Sequence, residues 1–205
     1  MIIAIDGPSA SGKSRLGKNL SKKLNIKFID SGKLYRIIAY LYMKEGKGEI
    51  ESFLKSKNWW NVFQKNFGDE LYSPEVSEIT SILSTKESVR ETVNKFLRDL
   101  YTHCKNLIVA GRDIGTVVFK DADLKVFLTA SEEERKRRRI KQMKELGYSP
   151  EFIDKEILRR DKRDSTRKIA PLKPAEDAII IDNTNLKKEE TLNIVLEELK
   201  KRGLI

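Results

Sequence analysis

The sequence contains one cysteine and one histidine, and this scarcity excludes several kinds of site. Cys104 has no second cysteine with which to form an intrachain disulfide, which agrees with a reducing compartment. A zinc site built from cysteine and histidine needs more ligands than Cys104 and His103 supply. The two residues also make a poor catalytic pair, because adjacent side chains rarely face each other and no Asp or Asn is placed to complete a triad.

Long apolar runs are also missing. No stretch approaches the roughly 18 consecutive apolar residues of a membrane span, so we expect no membrane partner. The first residues, MIIAIDGPSASGK, lack the basic region of a signal peptide, and their apolar run stops at Asp6. We therefore expect a cytoplasmic protein. The sequence does not reveal the oligomeric state, and we take a monomer as the expectation.

Positive charge is in excess. The sequence has 41 lysines and arginines but 31 aspartates and glutamates, which gives a net charge of +10. Two kinds of partner attract such a chain: nucleic acid, through a basic face, or a small anion such as ATP, through converging arginines. Much of the charge lies between Arg135 and Arg167, where acidic residues are also frequent. We recognise no motif for nucleic-acid recognition, so we favour the small anion and expect no nucleic-acid partner.

Short apolar segments alternate with segments of helical periodicity. The apolar segments are predicted strands, at residues 1–6, 28–30, 107–110, 126–129 and 178–181. Between them, apolar residues recur at helical spacing, as in Leu16, Leu20 and Leu24. This order predicts an α/β protein with a five-stranded parallel sheet and helices on both faces, in which ligands bind at the carboxyl ends of the strands.

Several residues mark the ends of predicted helices. Ser131 followed by Glu134 predicts a capping box at the start of a basic helix, and Ser149-Pro150 predicts the start of the next one. Gly203 predicts the end of the last helix. Residues 44–74, in contrast, have weak periodicity, and we interpret them as an insert in which the Trp59-Trp60 pair serves packing.

The first predicted strand leads into a phosphate-binding pattern: a glycine, four residues, and then Gly-Lys-Ser before an amphipathic helix. Backbone N–H groups of such a loop turn inward to form an anion nest, and the following helix directs its positive N-terminus at the phosphates. Lys13 reaches the β- and γ-phosphates of ATP, and the Ser14 hydroxyl coordinates Mg²⁺. The predicted ATP-binding residues are Gly7, Pro8, Ser9, Ala10, Ser11, Gly12, Lys13, Ser14 and Arg15.

The segment 159–167, RRDKRDSTR, is dense in arginine. Phosphoryl transfer requires positive charge on the developing oxyanions and exclusion of water, so this segment suits a mobile lid whose aspartates orient the guanidinium groups. The guanine-reading motifs of GTPases and the long coupled domains of motor proteins are absent, which favours a small-molecule kinase. A salt-bridged helix end is the alternative interpretation of this segment.

Several segments resemble those of bacterial cytidylate (CMP) kinases, in the nucleoside monophosphate kinase group. They are IDGPS at 5–9, FIDSGKLYR at 28–36, PEVS at 74–77, SVR at 88–90, GRDIGTVVF at 111–119 with Asp121-Ala122, FLTAS at 127–131, and RDKRD at 160–164 with Arg167 and Ala170-Pro171-Leu172. These segments follow the family's order from residue 1 to about 185. GRDIGTVVF is highly specific, whereas the phosphate loop alone is not. The resemblance implies a single P-loop kinase domain over residues 1–205, with a monophosphate-binding insert at about 44–80 and a lid at about 145–170.

The resemblance also implies an activity. The enzyme would transfer the γ-phosphoryl group of ATP–Mg²⁺ to CMP, and to dCMP, giving CDP and ADP. Arg36 and Arg90 would hold the phosphate of CMP, because arginine contacts phosphate in a bidentate manner. The other CMP-binding residues implied by the resemblance are Ser31, Ser81, Arg112 and Asp113.

Catalysis is implied for four residues of the phosphate loop and the lid. They are Lys13, Arg160, Asp164 and Arg167. The two arginines would bridge donor and acceptor phosphates, and Asp164 would orient them. Arg135 and Arg139, four residues apart on one helix face, are either ATP contacts or part of a solvated basic face.

The chain departs from the family's pattern at several places. The family usually has Thr or Ser where this chain has Arg15, and often Asp where it has Ala110. Residues 97–100 do not match the usual Gln-Arg motif, and the insert before Pro74 is shorter than in the long bacterial forms. The preference among CMP, dCMP and UMP therefore stays open.

Other functions also stay open at this point. They are another P-loop kinase of the UMP, shikimate or dephospho-coenzyme A type, a P-loop protein that binds nucleotide without catalysis, and a basic nucleotide-dependent nucleic-acid-binding protein, which is the least favoured.

Overall fold

The computed structural model describes residues 1–46, 48–147, 159 and 161–205. Within these residues, five strands form one parallel sheet in the order β2-β3-β1-β4-β5. The strands are β1 (Ile2–Asp6), β2 (Lys27–Asp30), β3 (Leu107–Ala110), β4 (Leu124–Thr129) and β5 (Ile179–Asp182). The predicted α/β class with a five-stranded parallel sheet is confirmed.

Helices connect and flank these strands. They are α1 (Lys13–Leu24), α2 (Ser31–Glu45), α3 (Ile50–Lys55), α4 (Trp59–Phe63), α5 (Pro74–Leu83), α6 (Glu87–Cys104), α7 (Glu132–Glu145) and α8 (Lys188–Lys201). Shorter helices are the 3₁₀ helix Asp69–Tyr72 and the π-helical turn Ile114–Val118, and the described residues 159 and 161–166 are also helical. In the described ranges, no helix combines the length and the apolar character needed to cross a membrane.

The chain divides into two compact units. The first contains Met1–Asp30 and Cys104–Ile205, and the second contains Ser31–His103. The first unit is built around β1, whose five residues are all buried. β1 pairs with β3 on one side and with β4 on the other, so that Ile3 lies between Ile108 and Leu124. Helices α1 and α8 pack on the same apolar cluster through residues spaced four apart, namely Leu16, Leu20, Val195 and Leu199.

Strand β4 begins two residues before its predicted start, because it continues through a lysine. Lys125 is only 8% exposed, and its ammonium group bonds the Asp177 carboxylate at 2.8 Å. A lysine is rarely buried without a partner charge, and Asp177 supplies that charge. The apolar pattern could not place the start of β4 correctly, since this partner is distant in the sequence.

The predicted capping box of α7 is half correct. The Ser131 hydroxyl accepts a hydrogen bond from the Glu134 N–H at 3.2 Å, as predicted. The prediction of a reciprocal bond from the Ser131 N–H to the Glu134 side chain is wrong, because this N–H donates to Thr184 Oγ1 at 2.8 Å. The Glu134 carboxylate instead bonds Arg137 and Arg138 on its own helix.

The predicted end of the last helix is confirmed. Gly203 has a φ of 66°, and its N–H donates to Lys200 O at 2.9 Å. The next N–H, of Leu204, donates to Leu199 O at 2.9 Å, which completes a Schellman motif. The helix start predicted at Ser149-Pro150 lies outside the described residues.

Aromatic rings pack against one another in the second unit. The Trp59 ring lies 5.3 Å from the Phe63 ring, and the Trp60 ring lies 5.4 Å from Phe96 and 5.1 Å from His103. The interpretation of the tryptophan pair as packing residues is therefore confirmed. The weakly periodic insert folds into α3, α4 and the 3₁₀ helix, which are too short to produce a clear helical pattern.

Candidate active site

The phosphate-binding pattern forms the turn between β1 and α1. Gly7 has a φ of 147°, and a Cβ added there would lie 2.0 Å from the carbonyl oxygen of Leu128. Gly12 has a φ of 99° at the start of α1. Both backbone conformations favour glycine, and Gly7 also allows the loop to pass close to the end of β4.

Side chains from α1, from α7 and from Asn183, which follows β5, bond the carbonyl groups of this loop. The bonds run from Lys13 Nζ to Pro8 O (2.6 Å), from Arg135 Nη1 to Ser9 O (3.2 Å), from Arg138 Nη1 to Ser11 O (3.3 Å) and from Asn183 Nδ2 to Ser11 O (2.9 Å). A trans peptide directs its C=O and its N–H to opposite sides, so these bonds turn the N–H groups of Ala10 and Gly12 the other way. Converging backbone N–H groups of this kind bind anions.

Lys13 is buried in the loop, with 8% of its surface exposed. Burial lowers the pKa of its ammonium group well below the ordinary value, and the nearby Arg112 lowers it further. The carboxylates of Asp30 and Asp161 oppose this shift. An added anion beside the Lys13 ammonium group, such as a nucleotide phosphate, would favour its charged form in the same way.

Ser14, at the end of the phosphate loop, and Asp30, at the end of β2, could together hold a metal ion. The Ser14 hydroxyl donates a hydrogen bond to Asp30 Oδ2. A hydroxyl oxygen and a carboxylate oxygen at the mouth of a phosphate loop are suitable ligands for Mg²⁺, which prefers oxygen. Arg15, predicted as an ATP contact, is exposed on α1.

Asp6 connects the end of β1 to the GRDIGTVVF segment. Its two carboxylate oxygens accept hydrogen bonds from the N–H groups of Ile114, at 2.9 Å, and Gly115, at 2.7 Å. Burial raises the pKa of Asp6 to about 6, because the charged form loses its hydration, although these two hydrogen bonds oppose the shift. The carboxylate therefore holds the residues that follow Arg112 and Asp113 next to the phosphate loop.

Four of the predicted site residues form one network of charges. Arg112 Nε donates to Asp164 Oδ2 at 3.0 Å. Arg167 Nη1 lies 3.6 Å from Asp164 Oδ1, and Arg167 Nη2 lies 3.6 Å from Asp113 Oδ1. The carboxylates thus hold the Arg167 side chain, which is only 5% exposed, as expected for residues that orient a guanidinium group. Arg160, the other predicted lid arginine, lies outside the described residues.

The remaining predicted site residues belong to the second unit, where two buried arginines stand out. Arg36 is 5% exposed, and its Nη1 donates to Leu71 O at 2.9 Å and to Ser77 Oγ at 2.8 Å. Arg90 is 3% exposed, and its Nη1 donates to Ser84 O at 3.1 Å. Ser31 on α2 and Ser81 on α5 are also buried.

Arg135 and Arg139 do not form a solvated basic face. The Arg135 side chain is 11% exposed and donates to Ala130 O at 3.1 Å as well as to the phosphate loop. Arg139 is 6% exposed and donates to Gln142 Oε1 at 3.2 Å. That alternative is therefore wrong for both residues, and Arg135 lies at the phosphate loop.

Comparison with known proteins identifies the family of this site. The family model for Cytidylate kinase matches residues 3–201. This chain belongs to the cytidylate kinase family. It is 42% identical to a cytidylate kinase of Thermotoga neapolitana, over 98% of this chain and 97% of that protein. It is also 42% identical to a cytidylate kinase of Aquifex aeolicus, over 99% of this chain and 97% of that protein.

Solved structures with lower identity share the fold of this cytidylate kinase family member. A shikimate kinase from Acinetobacter baumannii, in complex with shikimate, has a TM-score of 0.54 at 18% identity, over 100% of this chain and 95% of that one. A putative kinase from Chloroflexus aurantiacus has a TM-score of 0.52 at 11% identity, over 98% of this chain and 96% of that one. At these identities the likeness concerns the fold alone.

Ala110 is the position at which the resemblance leads one to expect Asp. It ends β3, is 1% exposed, and pairs in the sheet with Asp30 of β2. Asp30 therefore offers a carboxylate one strand away from this position, and that carboxylate reaches Ser14.

Sequence reasoning missed Arg138 and Asp161, which contact the phosphate loop, and also three polar residues at the ends of strands beside it. Asp6 ends β1, Asp30 ends β2, and Asn183 directly follows β5. All three stand at the carboxyl ends of strands, where parallel sheets bind ligands. Applying that rule to every predicted strand, rather than to recognised motifs alone, would have found them.

Proposed function

We propose that the chain transfers the γ-phosphoryl group of ATP to CMP, and to dCMP, with release of ADP. The observation that carries the proposal is the match of residues 3–201 to the cytidylate kinase family. The phosphate loop of this chain supports it, because the buried Lys13 side chain donates a hydrogen bond to Pro8 O within that loop. In the transfer, an oxygen of the acceptor's phosphate forms a bond to the γ-phosphorus, and the bond from that phosphorus to the β–γ bridging oxygen breaks. The acceptor phosphate is already anionic near neutral pH, so the reaction requires no general base.

The phosphate loop binds ATP in this proposal. The inward N–H groups of the loop and the Lys13 ammonium group contact the β- and γ-phosphates. Ser14 and Asp30 would hold Mg²⁺. The positive charge of this ion would partly neutralise the negative charge on the β- and γ-phosphate oxygens. Arg15 stays a predicted ATP contact.

The acceptor is bound by the two buried arginines of the second unit. Carbonyl and hydroxyl oxygens hold the Arg36 guanidinium group, and Tyr72 lies beneath it with its ring centroid 5.2 Å from Cζ. Such a preorganised fork suits the phosphate of CMP. Ser31, Ser81, Arg112 and Asp113 stay predicted contacts of the nucleotide.

The lid supplies positive charge to the transferred group. Arg167 is held by Asp113 and Asp164 and would neutralise the charge that develops on the γ-phosphoryl oxygens. Arg160 keeps the same role as an inference from the resemblance. Monomeric state and cytoplasmic location stay predictions of the sequence.

The test is ADP release from ATP–Mg²⁺ with CMP, dCMP, UMP, AMP, GMP, dTMP and shikimate offered one at a time. We expect CMP and dCMP to stimulate ADP release strongly, and the CDP formed to equal the ADP. If only another acceptor stimulates ADP release, the chain is still a kinase, but CMP is not its acceptor. If no acceptor stimulates release although ATP binds in calorimetry, the chain is a nucleotide-binding protein without catalysis.

A further inference from the structure

Asp161 contacts the phosphate loop and has no role in the mechanism described so far. Its Oδ1 accepts a hydrogen bond from the Ser9 N–H at 2.9 Å, and its Oδ2 pairs with the Arg135 guanidinium group. Arg135 also donates to Ser9 O at 3.2 Å. Asp161 and Arg135 therefore hold both backbone polar groups of one loop residue.

The contact between Asp161 and the loop is partly shielded from water. The side chains of Asp161 and Arg135 are 15% and 11% exposed. Hydrogen bonds between charged groups in such surroundings are stronger than neutral ones. Because Arg135 is also bonded to Ala130 O, next to the start of α7, it gives Asp161 a fixed partner.

The helical residues 161–166 make a second contact with the rest of the site. Asp161 and Asp164 are three residues apart, which places them on one helix face. Asp161 reaches Ser9, whereas Asp164 reaches Arg112 at 3.0 Å. Arg167 follows directly, and its N–H donates to Arg163 O at 3.0 Å. The position of Arg167 therefore depends on both attachments.

We propose that Asp161 is a positioning residue for phosphoryl transfer, which fastens residues 161–167 to the phosphate loop and so sets the place of Arg167 relative to the phosphates of ATP. Asp161 acts through Ser9 and Arg135. The proposal rests on the proposed kinase function for its effect on turnover, and only on nucleotide binding by the loop for its effect on ATP affinity.

The variant Asp161→Asn keeps the size of the side chain and removes its charge. We expect kcat to fall roughly tenfold, in line with the loss of a charge-assisted hydrogen bond, while KM for CMP changes less than about twofold. ATP affinity, measured by calorimetry without acceptor, should weaken about threefold or more, because the loop is less preorganised. The ratio of ADP to CDP should rise, because a loosened lid admits water to the γ-phosphate.

The control is Glu198→Gln, which makes the same charge change on α8, where Glu198 pairs with Arg202 at 2.7 Å. It should keep wild-type kcat, ATP affinity and product ratio. Asp161→Glu retains the charge and should recover part of the loss. If Asp161→Asn does not fold, Arg135→Lys tests the same contact from its other side and should raise the ADP to CDP ratio as well.

A purely structural role for Asp161 would lower the melting temperature and leave the product ratio and the ATP affinity of the folded fraction unchanged, and that result would overturn the proposal. If the wild-type chain fails to phosphorylate CMP, the proposed function fails. Calorimetry with ATP then tests the proposal for Asp161 separately. If Asp161→Asn binds ATP with the wild-type affinity, the proposal for Asp161 is refuted.

Discussion

Replacing Asp6 with Asn tests a buried carboxylate whose ionisation acts against folding. The pKa of Asp6 is raised to about 6 in the folded chain, compared with an ordinary value of 3.8. Each unit of pKa corresponds to about 1.36 kcal/mol, so ionisation of Asp6 costs the folded state about 3 kcal/mol more than it costs the unfolded state. The cost is large because the group is buried while its two backbone hydrogen bonds offset only part of the lost hydration.

The sign of the pH dependence follows from the protons bound by each state. Between pH 3.8 and about 6 the folded state binds more protons at Asp6 than the unfolded state does. The free energy of unfolding therefore falls as the pH rises through this window. Below the window both states are protonated and above it both are ionised, so the contribution is constant on either side.

The measurement is urea unfolding of the wild-type chain and of Asp6→Asn at pH values from 4 to 8. Far-UV circular dichroism monitors the unfolding. The variant lacks the titrating group, so its stability relative to wild type should rise by about 2.4 kcal/mol between pH 4 and pH 7, because the first part of the roughly 3 kcal/mol is already lost at pH 4. The loss of one accepting oxygen adds an offset that does not depend on pH. A difference that is flat across this range, or that falls with pH, would refute the reasoning.

Asp177→Asn is a control of opposite sign. The hydrogen bond from Lys125 lowers the pKa of Asp177, so this carboxylate contributes stability that is lost as the pH falls. The stability of Asp177→Asn relative to wild type should therefore fall as the pH rises.

Further substitutions test the phosphate loop and the lid. Lys13→Ala should reduce turnover by orders of magnitude with the fold retained, as judged by circular dichroism, and near-normal turnover would refute the role of the loop. Arg167→Ala should lower kcat more than it raises KM for CMP, whereas an equal loss in both would indicate ground-state binding. Gly7→Ala should abolish ATP binding in calorimetry, since its Cβ would lie 2.0 Å from Leu128 O. Gly203→Ala, which meets no atom within 4 Å, should bind ATP normally and cost about 1 kcal/mol of stability through its positive φ.

The sheet could be predicted from the sequence because its strands are short apolar runs bounded by turns and motifs. The segment Leu107–Ala110 was predicted with its observed bounds, and β1 differs by one residue. The start of β4 was wrong, since a buried lysine breaks the apolar pattern and its partner Asp177 lies 52 residues away. Local periodicity contains no information about such a partner.

Those residues of the candidate site that belong to recognisable sequence motifs could be predicted. The loop, Arg112, Asp113, Asp164 and Arg167 came from recognised segments, and the structure brings the last four together. The contacts that orient these residues could not be predicted. Asp161 reaches a backbone N–H 152 residues away, and a backbone group has no sequence signature.

The order of strands in the sheet has a consequence for synthesis of the chain on the ribosome. β1 leaves the ribosome first, yet both of its neighbours come from residues that follow more than 100 positions later, since Ile3 pairs beside Ile108 and Leu124. At roughly 5–20 residues per second, the nascent β1 spends on the order of 5–20 s with its apolar side chains and backbone edges uncovered. Ser31–His103 emerges within that interval, and it forms a compact unit in the folded chain, so the contacts inside this stretch can form before β3 is made. A holding chaperone should therefore bind the segment Ile2–Asp6 of the nascent chain until β3 and β4 have been made.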